Sequence, residues 1–390
     1  MLLKLRFITA GESHGRGLIS MLEGIPSGLA LAPPDIDADL KRRQQGYGRG
    51  GRMKIEQDRA IILTGVRWGK TIGSPVSLLI ENRDWENWCE GMSPDTAKEG
   101  SIPPVTRPRP GHADLAGAMK YGHKDVRNIL ERSSARETAA RVAAGAIARK
   151  FLAEFCITVG SYVVRIGSVA MPEGPEDETA ETVRRAETSE VRCPDKETSS
   201  RMIVLIDEAR QKGDTLGGIF KVVADGIPAG LGSHIQWDRR LNSRLMAAIS
   251  SIQAVKGVEI GLGFRAAERF GSEVMDEISY SEGSGFFRRT NNAGGVEGGI
   301  SNGMPVIIRA AMKPIPTLRT PLRSTDIVTK QAIEAAYERS DTCAVPAAAV
   351  IAEAMAALCI ADALLDKFGG DSMDETKRNF SAYQEQIRQF

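Results

Sequence analysis

Short runs of apolar and β-branched residues in the first eighty positions predict a series of strands. Residues 3–9, 18–22, 60–66 and 76–80 each run apolar or alternate with polar positions, as strands do. Residues 35–43 follow a Pro-Pro pair and predict a short helix, because proline is favoured at helix starts.

The middle of the chain adds long helices to these strands. Residues 125–155 carry Ala, Ile, Val and Leu at helical spacing, with Arg and Glu between them, and predict one long helix. Residues 239–250 predict another helix, whereas residues 216–224, 258–264 and 305–311 predict strands. Because strands and helices follow each other without strict βαβ alternation, the pattern predicts an α+β fold.

The apolar stretch at residues 344–368 permits two interpretations. It is long enough to cross a membrane, but it contains Glu353, Asp362 and Asp366 and is rich in Ala rather than Leu. Carboxylates inside a bilayer are costly, so we predict a buried helix and no membrane association.

Two segments differ in composition from the rest. Residues 172–196 are acidic, rich in Glu and Thr and poor in large apolar residues, which predicts a surface excursion with one exposed helix. We therefore predict a single domain over residues 1–370, with the excursion at about 172–200, followed by a charged and peripheral tail at 371–390.

Composition and charge narrow the class of protein. The 390 residues include 51 Lys and Arg and 50 Asp and Glu, for a formal net charge of +1. This balance argues against a nucleic-acid-binding protein, although it permits a local basic pocket. The five cysteines form no C-x-x-C pair, which fits a reducing compartment. Residues 1–11 lack the apolar run of a secretory signal, so we predict a soluble, cytoplasmic protein.

Two glycine motifs for nucleotides do not match their patterns. Residues 65–71 resemble a P-loop, but Thr64 stands where the spacing needs glycine. Gly261 and Gly263 match part of a dinucleotide fingerprint, but the ERFGSE sequence that follows does not continue as a helix. We therefore expect neither site.

The four histidines include two candidates for acid–base chemistry. His14 lies in the sequence GESHG and His112 in RPRPGHAD, so both lie in glycine-flanked loops that a ligand can reach. No histidine or cysteine cluster has metal-ligand spacing, so we predict no metal site.

Basic residues near glycines predict a binding site for an anion. Arg132 and Arg136 are four residues apart, where like charges on one helix face repel unless they are solvated or bind an anion between them. Ser133 and Ser134 add hydroxyl donors. Five further basic residues surround the glycines at 46, 48, 50 and 51, and two more precede His112. They are Lys41, Arg42, Arg43, Arg49 and Arg52, and Arg107 and Arg109.

The glycine loop at residues 45–52 leaves an alternative open. Its sequence, QGYGRGGR, also resembles a fragment of the RGG segments that bind nucleic acid. Tyr47 is the single aromatic platform within it, which is few for binding of that kind.

Longer blocks of the sequence resemble the chorismate synthase family. They span about residues 7–368 in the order typical of that family, and the resemblance fades at 172–200 and in the tail. The blocks are GESHG at 11–15, RRQQGYGRGGRMKIE at 42–56, RPGHAD at 109–114, RSSARET at 132–138, DTLGG at 214–218, GLGS at 230–233, RRTNNAGGVEGGISNG at 288–303, MKPIPT at 312–317 and ERSD at 338–341.

The resemblance implies a lyase of the shikimate pathway of aromatic amino-acid biosynthesis. Such an enzyme removes phosphate from 5-enolpyruvylshikimate 3-phosphate by anti-1,4-elimination and yields chorismate. That substrate carries two carboxylates and a phosphate, which matches the anion site expected above. The resemblance also implies reduced FMN as a cofactor that is not consumed.

The same resemblance implies roles for individual residues. His14 would be the general acid for the leaving phosphate, His112 would lie near the flavin N1/O2 edge, and Asp341 would be the base near N5. Substrate or nucleotide would contact Ser13, Arg43, Arg49, Arg52, Arg109 and Arg136. Flavin would contact Arg132, Ser133, Ser134, Gln253, Ala254, Gly298, Lys313, Pro314, Ile315, Pro316, Thr317 and Arg339.

Further expectations concern assembly and the supply of electrons. The resemblance implies a β-α-β sandwich, in which antiparallel sheets enclose helices, and a homotetramer. Reduced flavin would come from NADPH where the enzyme reduces its own flavin, or otherwise from a separate flavin reductase. Two other functions stay open from the residues alone, namely nucleic-acid binding and a flavin- or NADPH-dependent oxidoreductase with net hydride transfer.

Overall fold

A computed structural model describes residues 2–50, 57–172, 179–282, 285–338 and 340–390 of the chain. Helices and antiparallel sheets are mixed along this part of the sequence, which confirms the predicted α+β class.

A four-stranded antiparallel sheet in the order β1-β2-β6-β3 is built from the first ninety residues. Along β2, Leu18 and Leu22 are buried whereas Ile19 and Met21 are exposed, because successive side chains point to opposite faces of a strand. The strands of this region are β1 (Arg6–Ala10), β2 (Gly17–Glu23), β3 (Ile61–Thr64), β4 (Val66–Arg67), β5 (Lys70–Thr71) and β6 (Val76–Glu81).

A five-stranded antiparallel sheet in the order β10-β15-β9-β7-β8 follows. Its strands are β7 (Thr158–Ile166), β8 (Val169–Ala170), β9 (Gly218–Asp225), β10 (Val255–Ile260) and β15 (Val306–Met312). The remaining strands form two-stranded pairs: β11 (Ile278–Ser281) with β12 (Gly285–Arg288), β13 (Val296–Glu297) with β14 (Ile300–Ser301), and β16 (Arg323–Thr325) with β17 (Ala332–Glu334).

Ten α-helices are present in the described residues. They are α1 (Pro33–Gln44), α2 (Asp114–Tyr121), α3 (Arg127–Ser133), α4 (Thr138–Ala153), α5 (Ala180–Glu187), α6 (Lys196–Lys212), α7 (Leu241–Ser250), α8 (Gly271–Val274), α9 (Val345–Phe368) and α10 (Met373–Arg388).

The core is centred on the contact between α4 and α9. Helix α4 packs on β1, β2 and β6 of the first sheet, whereas α9 packs on β7 and β9 of the second. The two helices meet where Gly145 faces Ala354, and a Cβ atom added to Gly145 would lie 2.3 Å from the Cβ of Ala354. Glycine is therefore required at this position, because a Cβ atom cannot be accommodated at that separation.

Helix α9 is the predicted apolar helix, and it is buried as expected. Among the described residues it is the one helix long and apolar enough to cross a membrane, and its most apolar stretch lies wholly inside the protein. The exposed face expected of a lipid-contacting helix is absent from that stretch.

Glu353 on α9 is buried among three arginines. Its carboxylate lies 2.7 Å from Arg42, 3.5 Å from Arg149 and 3.2 Å from Arg192, and it accepts a hydrogen bond of 2.5 Å from Ser161. Burial raises the pKa of Glu353, but the surrounding guanidinium charges outweigh that effect and lower it. The charge on this apolar helix is therefore neutralised by arginines from α1, from α4 and from the connection between α5 and α6.

Asp362, nine residues further along α9, binds the backbone of residues 3–5. Its carboxylate accepts backbone hydrogen bonds from Leu3, Lys4 and Leu5 at 2.9, 2.6 and 2.7 Å, and it forms an ion pair with buried Arg244. This pairing explains why the predicted strand at 3–9 begins only at Arg6, since the preceding N–H groups donate to Asp362 instead of to a neighbouring strand.

Several predicted boundaries are wrong for identifiable reasons. The long helix predicted at 125–155 is interrupted at Ser134, whose backbone is extended and whose hydroxyl accepts from the N–H of Arg136. The strand predicted at 258–264 ends at Ile260, because Gly261 and Gly263 turn the chain with φ of +60° and +55°. The strand predicted at 60–66 is likewise divided by a turn at Gly65, where φ is +85°.

The predicted surface excursion is only partly exposed. Helix α5 confirms the expected helix, but its residues Thr182 and Ala186 are buried against the second sheet. Val191, Arg192 and Cys193 are buried as well, so the prediction is wrong for these positions. Arg192 is held inside by its ion pair with Glu353, and Val191 and Cys193 pack in the main hydrophobic core. Residues 173–178 lie outside the described part of the chain.

Substitution of Gly145 by alanine should destabilise the fold. We expect the free energy of unfolding to fall by about 1–3 kcal/mol, because the added methyl group forces α4 and α9 apart. Urea denaturation followed by circular dichroism measures this loss. Gly271→Ala is the control, since nothing lies within 4 Å of a Cβ atom there. Equal unfolding midpoints for the two variants would contradict the packing argument.

Candidate functional site

Two arginines at the start of α4 and the end of α1 share one buried carboxylate. Asp58 lies 2.6 Å from Arg136 and 3.3 Å from Arg43. Arg136 also donates to Asn82 at 2.8 Å, and Arg43 donates to Thr138 at 3.0 Å. Burial lowers the pKa of Arg43 to about 10, and the nearby cations of Arg136 and Arg49 act in the same direction. The cluster therefore holds two guanidiniums in fixed orientations.

The glycine loop carries a third arginine to the same cluster. Arg49 lies 2.7 Å from the carboxylate of Asp341, which also accepts a 2.6 Å hydrogen bond from the backbone of Gly50. A Cβ atom at Gly50 would lie 3.0 Å from the carbonyl oxygen of Ser340, so glycine permits this close approach. The structure thus joins the loop after α1 to the segment before α9.

His14 is held by a buried glutamate. Its Nδ1 atom and its backbone N–H lie 2.8 Å from the two carboxylate oxygens of Glu131, on α3. The imidazole also lies against Trp88, with ring centroids 4.2 Å apart. Ser13 donates its hydroxyl to that of Ser134 at 3.1 Å, which places Ser13 at the break between α3 and α4.

His112 is held in a similar way on another loop. Its Nδ1 atom lies 2.5 Å from Asp114, and the same carboxylate accepts a 2.8 Å hydrogen bond from Arg109. Arg109 is buried and also donates to Thr317 at 3.1 Å. Burial raises the pKa of Asp114, but the hydrogen bonds from His112 and Arg109 outweigh it and lower the pKa. Asp114 is therefore ionised at neutral pH.

The segment 313–317 runs extended beside this second histidine. A Cβ atom at Gly111 would lie 3.7 Å from Pro316 and 3.8 Å from the Nζ atom of Lys313. Thr215 fixes the segment by donating its hydroxyl to the carbonyl of Ile315 at 2.7 Å. Burial, together with the charge of Lys256, lowers the pKa of Lys313. The segment therefore presents a partly buried amine next to the His112 loop.

Arg132 and Gln253 converge on a different carboxylate, that of Glu137. Arg132 donates to the carbonyl of Thr9 at 2.8 Å and lies 3.9 Å from Glu137, while Gln253 donates to Glu137 at 3.1 Å. Ala254 follows with φ of +67°, a left-handed conformation that is unusual for a residue with a side chain. Its carbonyl accepts the N–H of Lys313 at 2.9 Å, which connects this group to the segment 313–317.

Hydrogen bonds link the groups around His14, His112 and the arginines. Asn82 donates to the carbonyls of Glu12 and Gly15, on either side of His14, and accepts from Arg136. Ser340 donates to the carbonyl of Thr317 at 3.0 Å and precedes Asp341. Most of the predicted residues therefore belong to one continuous region.

Among the described residues, one predicted site residue, Gly298, stays outside this region. Gly298 lies in the turn between β13 and β14, and no hydrogen bond in the described part of the chain links it to the other predicted flavin residues. Arg52 and Arg339 lie outside the described residues.

One sequence interpretation is wrong. Arg132 and Arg136 do not share a helix face, because the chain leaves the helix at Ser134 between them. Arg132 is half-exposed and binds the backbone of Gly11 and Thr9, whereas Arg136 is buried on Asp58. An anion between these two arginines is not needed to explain their spacing.

Sequence reasoning did not identify the partners that orient the predicted residues. These partners contact the predicted arginines or histidines in the folded protein. They are Asp58, Asn82, Trp88, Asp114 and Glu131. Only Asp114 had a signal, since it ends the RPGHAD block. Within the described residues no group of three or more His, Cys, Asp and Glu is arranged to hold a metal ion.

Comparison with known proteins gives one family. The family model for chorismate synthase matches residues 5–365. Chorismate synthases of Aquifex aeolicus and Geobacter sulfurreducens are each 58% identical to this chain. Both matches cover 99% of this chain, together with 99% of the Aquifex protein and 100% of the Geobacter protein. That of Desulforudis audaxviator is 60% identical over 98% of both chains. A solved structure described as a crystal structure of chorismate synthase superimposes with a TM-score of 0.82 at 48% identity, covering all of both chains.

Replacing Asp58 by asparagine should destabilise the protein strongly. The substitution leaves Arg43 and Arg136 buried without their shared anion, and loss of one partner of a buried pair costs about 3–5 kcal/mol. Chemical denaturation measures this change. Asp225→Asn, at an exposed position at the end of β9, serves as the control and should stay within about 0.5 kcal/mol of the unsubstituted protein. An unchanged stability of the Asp58 variant would show that the arginines do not depend on it.

Proposed function

The chain belongs to the chorismate synthase family and is an enzyme of the lyase class, and we propose that it removes phosphate from 5-enolpyruvylshikimate 3-phosphate by anti-1,4-elimination to give chorismate. The observation that supports this most directly is the pairing of two carboxylate-held histidines with a cluster of buried arginines in one region. This elimination needs side chains that protonate the leaving phosphate and side chains that bind the anionic groups of the substrate.

The charges of the cluster suit a substrate with two carboxylates and a phosphate. Asp58 pairs with Arg43 and Arg136, and Asp341 pairs with Arg49, so carboxylates hold the guanidinium groups of this cluster in place. Guanidiniums that are already oriented bind carboxylate or phosphate with little reorganisation. We infer that the substrate anions bind at this cluster.

His14 is proposed as the general acid for the leaving group. Its Nδ1 atom is engaged by Glu131, so the ring would deliver a proton from Nε2 to the departing phosphate oxygen. His112, with Nδ1 held by Asp114, would provide a proton or a hydrogen bond at the edge of the cofactor.

Asp341 is proposed as the group that takes up the proton released from the ring. In the free protein its carboxylate lies 2.7 Å from Arg49. Engagement of Arg49 by a substrate anion would weaken that pair and release the carboxylate of Asp341 toward the ring. Substrate binding and proton removal would thereby be coupled.

The predicted flavin residues fit a group with a phosphate and a polar ring edge. Ser133, Ser134, Arg132 and Lys313 offer hydroxyl and cationic donors. The Oε1 atom of Gln253 is buried and has no hydrogen-bond partner within the described part of the chain. This oxygen could therefore accept a hydrogen bond from a bound ligand. The chemistry that reduced FMN supplies when bound is electron density that weakens the allylic C–O bond and that returns as the ring hydrogen leaves.

Assembly and cellular context form part of the same proposal. The contacts of α4 with the first sheet and α9 with the second support a β-α-β sandwich. Exposed apolar residues on the outer face of the first sheet support contact between subunits in a homotetramer; they are Ile8, Ile19, Met21, Ile61 and Leu63. We propose a cytoplasmic enzyme whose flavin is reduced by NADPH or by a separate reductase.

Anaerobic turnover tests the proposed reaction. Protein, 5-enolpyruvylshikimate 3-phosphate and chemically reduced FMN should yield chorismate and phosphate over many turnovers, with the flavin still reduced at the end. An oxidoreductase would instead oxidise one flavin for each product. Absence of product from folded protein would overturn the proposal.

The two histidines should each be needed for that turnover. We expect His14→Ala and His112→Ala to lower kcat by roughly 10²–10⁴, the usual loss when a proton-transfer group is removed. His234→Ala, at an exposed position, is the control and should retain the full rate. A full rate in either of the first two variants would remove that histidine from the mechanism.

Arg49 should act mainly in substrate binding. Arg49→Ala is expected to raise KM roughly 10-fold to 100-fold, because a charge-assisted hydrogen bond to an anion is lost. Arg184→Ala, which removes an arginine with 74% of its side chain exposed, is the matched control. Unchanged kinetics for the Arg49 variant would mean that the loop binds something else.

A further inference from the structure

Glu131 binds the His14 loop at three points. Its side-chain oxygens accept from the ring Nδ1 and from the backbone N–H of His14, each at 2.8 Å. Its backbone carbonyl accepts the N–H of Ser13 at 2.9 Å. One residue of α3 therefore fixes both the position of the loop and the rotation of the imidazole ring.

The carboxylate of Glu131 is kept ionised in a buried place. Only 3% of its side chain is exposed. Among the described residues, the charged groups that face it are His14, from the loop after β1, and Arg127, at 3.4 Å on its own helix. The guanidinium of Arg127 also lies 3.9 Å from the carboxylate of Glu338. Burial raises the pKa of Glu131, but the hydrogen bonds from His14 and the charge of Arg127 outweigh it and lower the pKa.

Trp88 restrains the ring of His14 from another direction. The two ring centroids lie 4.2 Å apart at an angle of 32°, and the guanidinium of Arg127 lies 4.8 Å from the centroid of Trp88. The imidazole is thus fixed by a hydrogen bond at one nitrogen and by contact with an aromatic ring. The remaining nitrogen, Nε2, is the atom through which the ring can exchange protons with a ligand.

We propose that Glu131 is a positioning residue that keeps a proton on Nδ1 of His14 and stabilises the imidazolium form, so that Nε2 is the acid. This inference rests on the proposed role of His14 as general acid. In the step itself the Nε2–H bond breaks and an O–H bond forms on the departing phosphate. The ring then becomes neutral with its proton left on Nδ1, and the carboxylate stays ionised throughout.

The first test reads the proton position without any reaction. ¹⁵N NMR of the histidine-labelled full-length protein, free of substrate and flavin, distinguishes the two neutral forms of a ring. Since there are four histidines, His14→Asn identifies the signal of His14. At alkaline pH we expect the neutral His14 ring to carry its proton on Nδ1, and we expect Glu131→Met to populate the form protonated on Nε2. A wild-type ring protonated on Nε2 overturns the inference, whether or not any variant folds.

The second test uses the pH profile of kcat/KM. Glu131→Gln keeps an acceptor for Nδ1 but removes the charge, so the imidazolium is less stable and the alkaline limb should move to lower pH by about one unit or more. Glu131→Asp keeps the charge and should leave the limb close to its wild-type position. Glu90→Gln, which removes an exposed carboxylate paired with Lys98, is the control.

The outcomes separate this inference from the proposed reaction. A Glu131→Gln profile that is lowered equally at every pH, with no movement of the limb, would indicate a purely structural role and overturn the inference. If the wild-type protein makes no chorismate, the proposed reaction fails, while the NMR measurement still decides whether Glu131 sets the protonated nitrogen of His14.

Discussion

The close contact between α4 and α9 is the constraint on which the candidate site depends. At Gly145 and Ala354 the two helix backbones lie so close together that there is no room for a Cβ atom at position 145. Helix α4 packs on the first sheet and α9 packs on the second. Helix α4 begins just after Arg136, and α9 begins just after the segment that holds Asp341. The separation of these two helices therefore sets where Arg136 lies relative to Asp341.

A recurring arrangement within the site is a buried carboxylate that holds a cation or a histidine. Asp58, Asp114 and Glu131 each perform this task, and the partly buried Asp341 does the same for Arg49. Burying ion pairs contributes little to stability, because the cost of desolvation offsets the attraction. The benefit is geometric: charges fixed before the ligand arrives need no rearrangement during the reaction. The fold thus gives up some stability in exchange for orientation.

The sequence predicts local features of this fold better than its pairings. Periodicity identifies the buried helix α9, the four strands of the first sheet and three of the five strands of the second, but it misses β7 and β8. The motif blocks identify the family. Ser134 is compatible with a helix interior or a helix end, so the break before Arg136 has no clear local signal. The pairing of Asp58 with Arg136 joins residues 78 positions apart, and that of Glu131 with His14 joins residues 117 apart. Such contacts follow from the tertiary structure and leave no trace in spacing along the chain.

The carboxylate of Asp362 has a consequence for how the protein is made. The backbone N–H groups of residues 3–5 find their acceptor more than 350 positions later in the chain. During translation residues 3–5 are synthesised long before α9, so they stay without this acceptor until α9 has been made. This contact therefore forms late in folding, and a chain shortened before α9 would lack it.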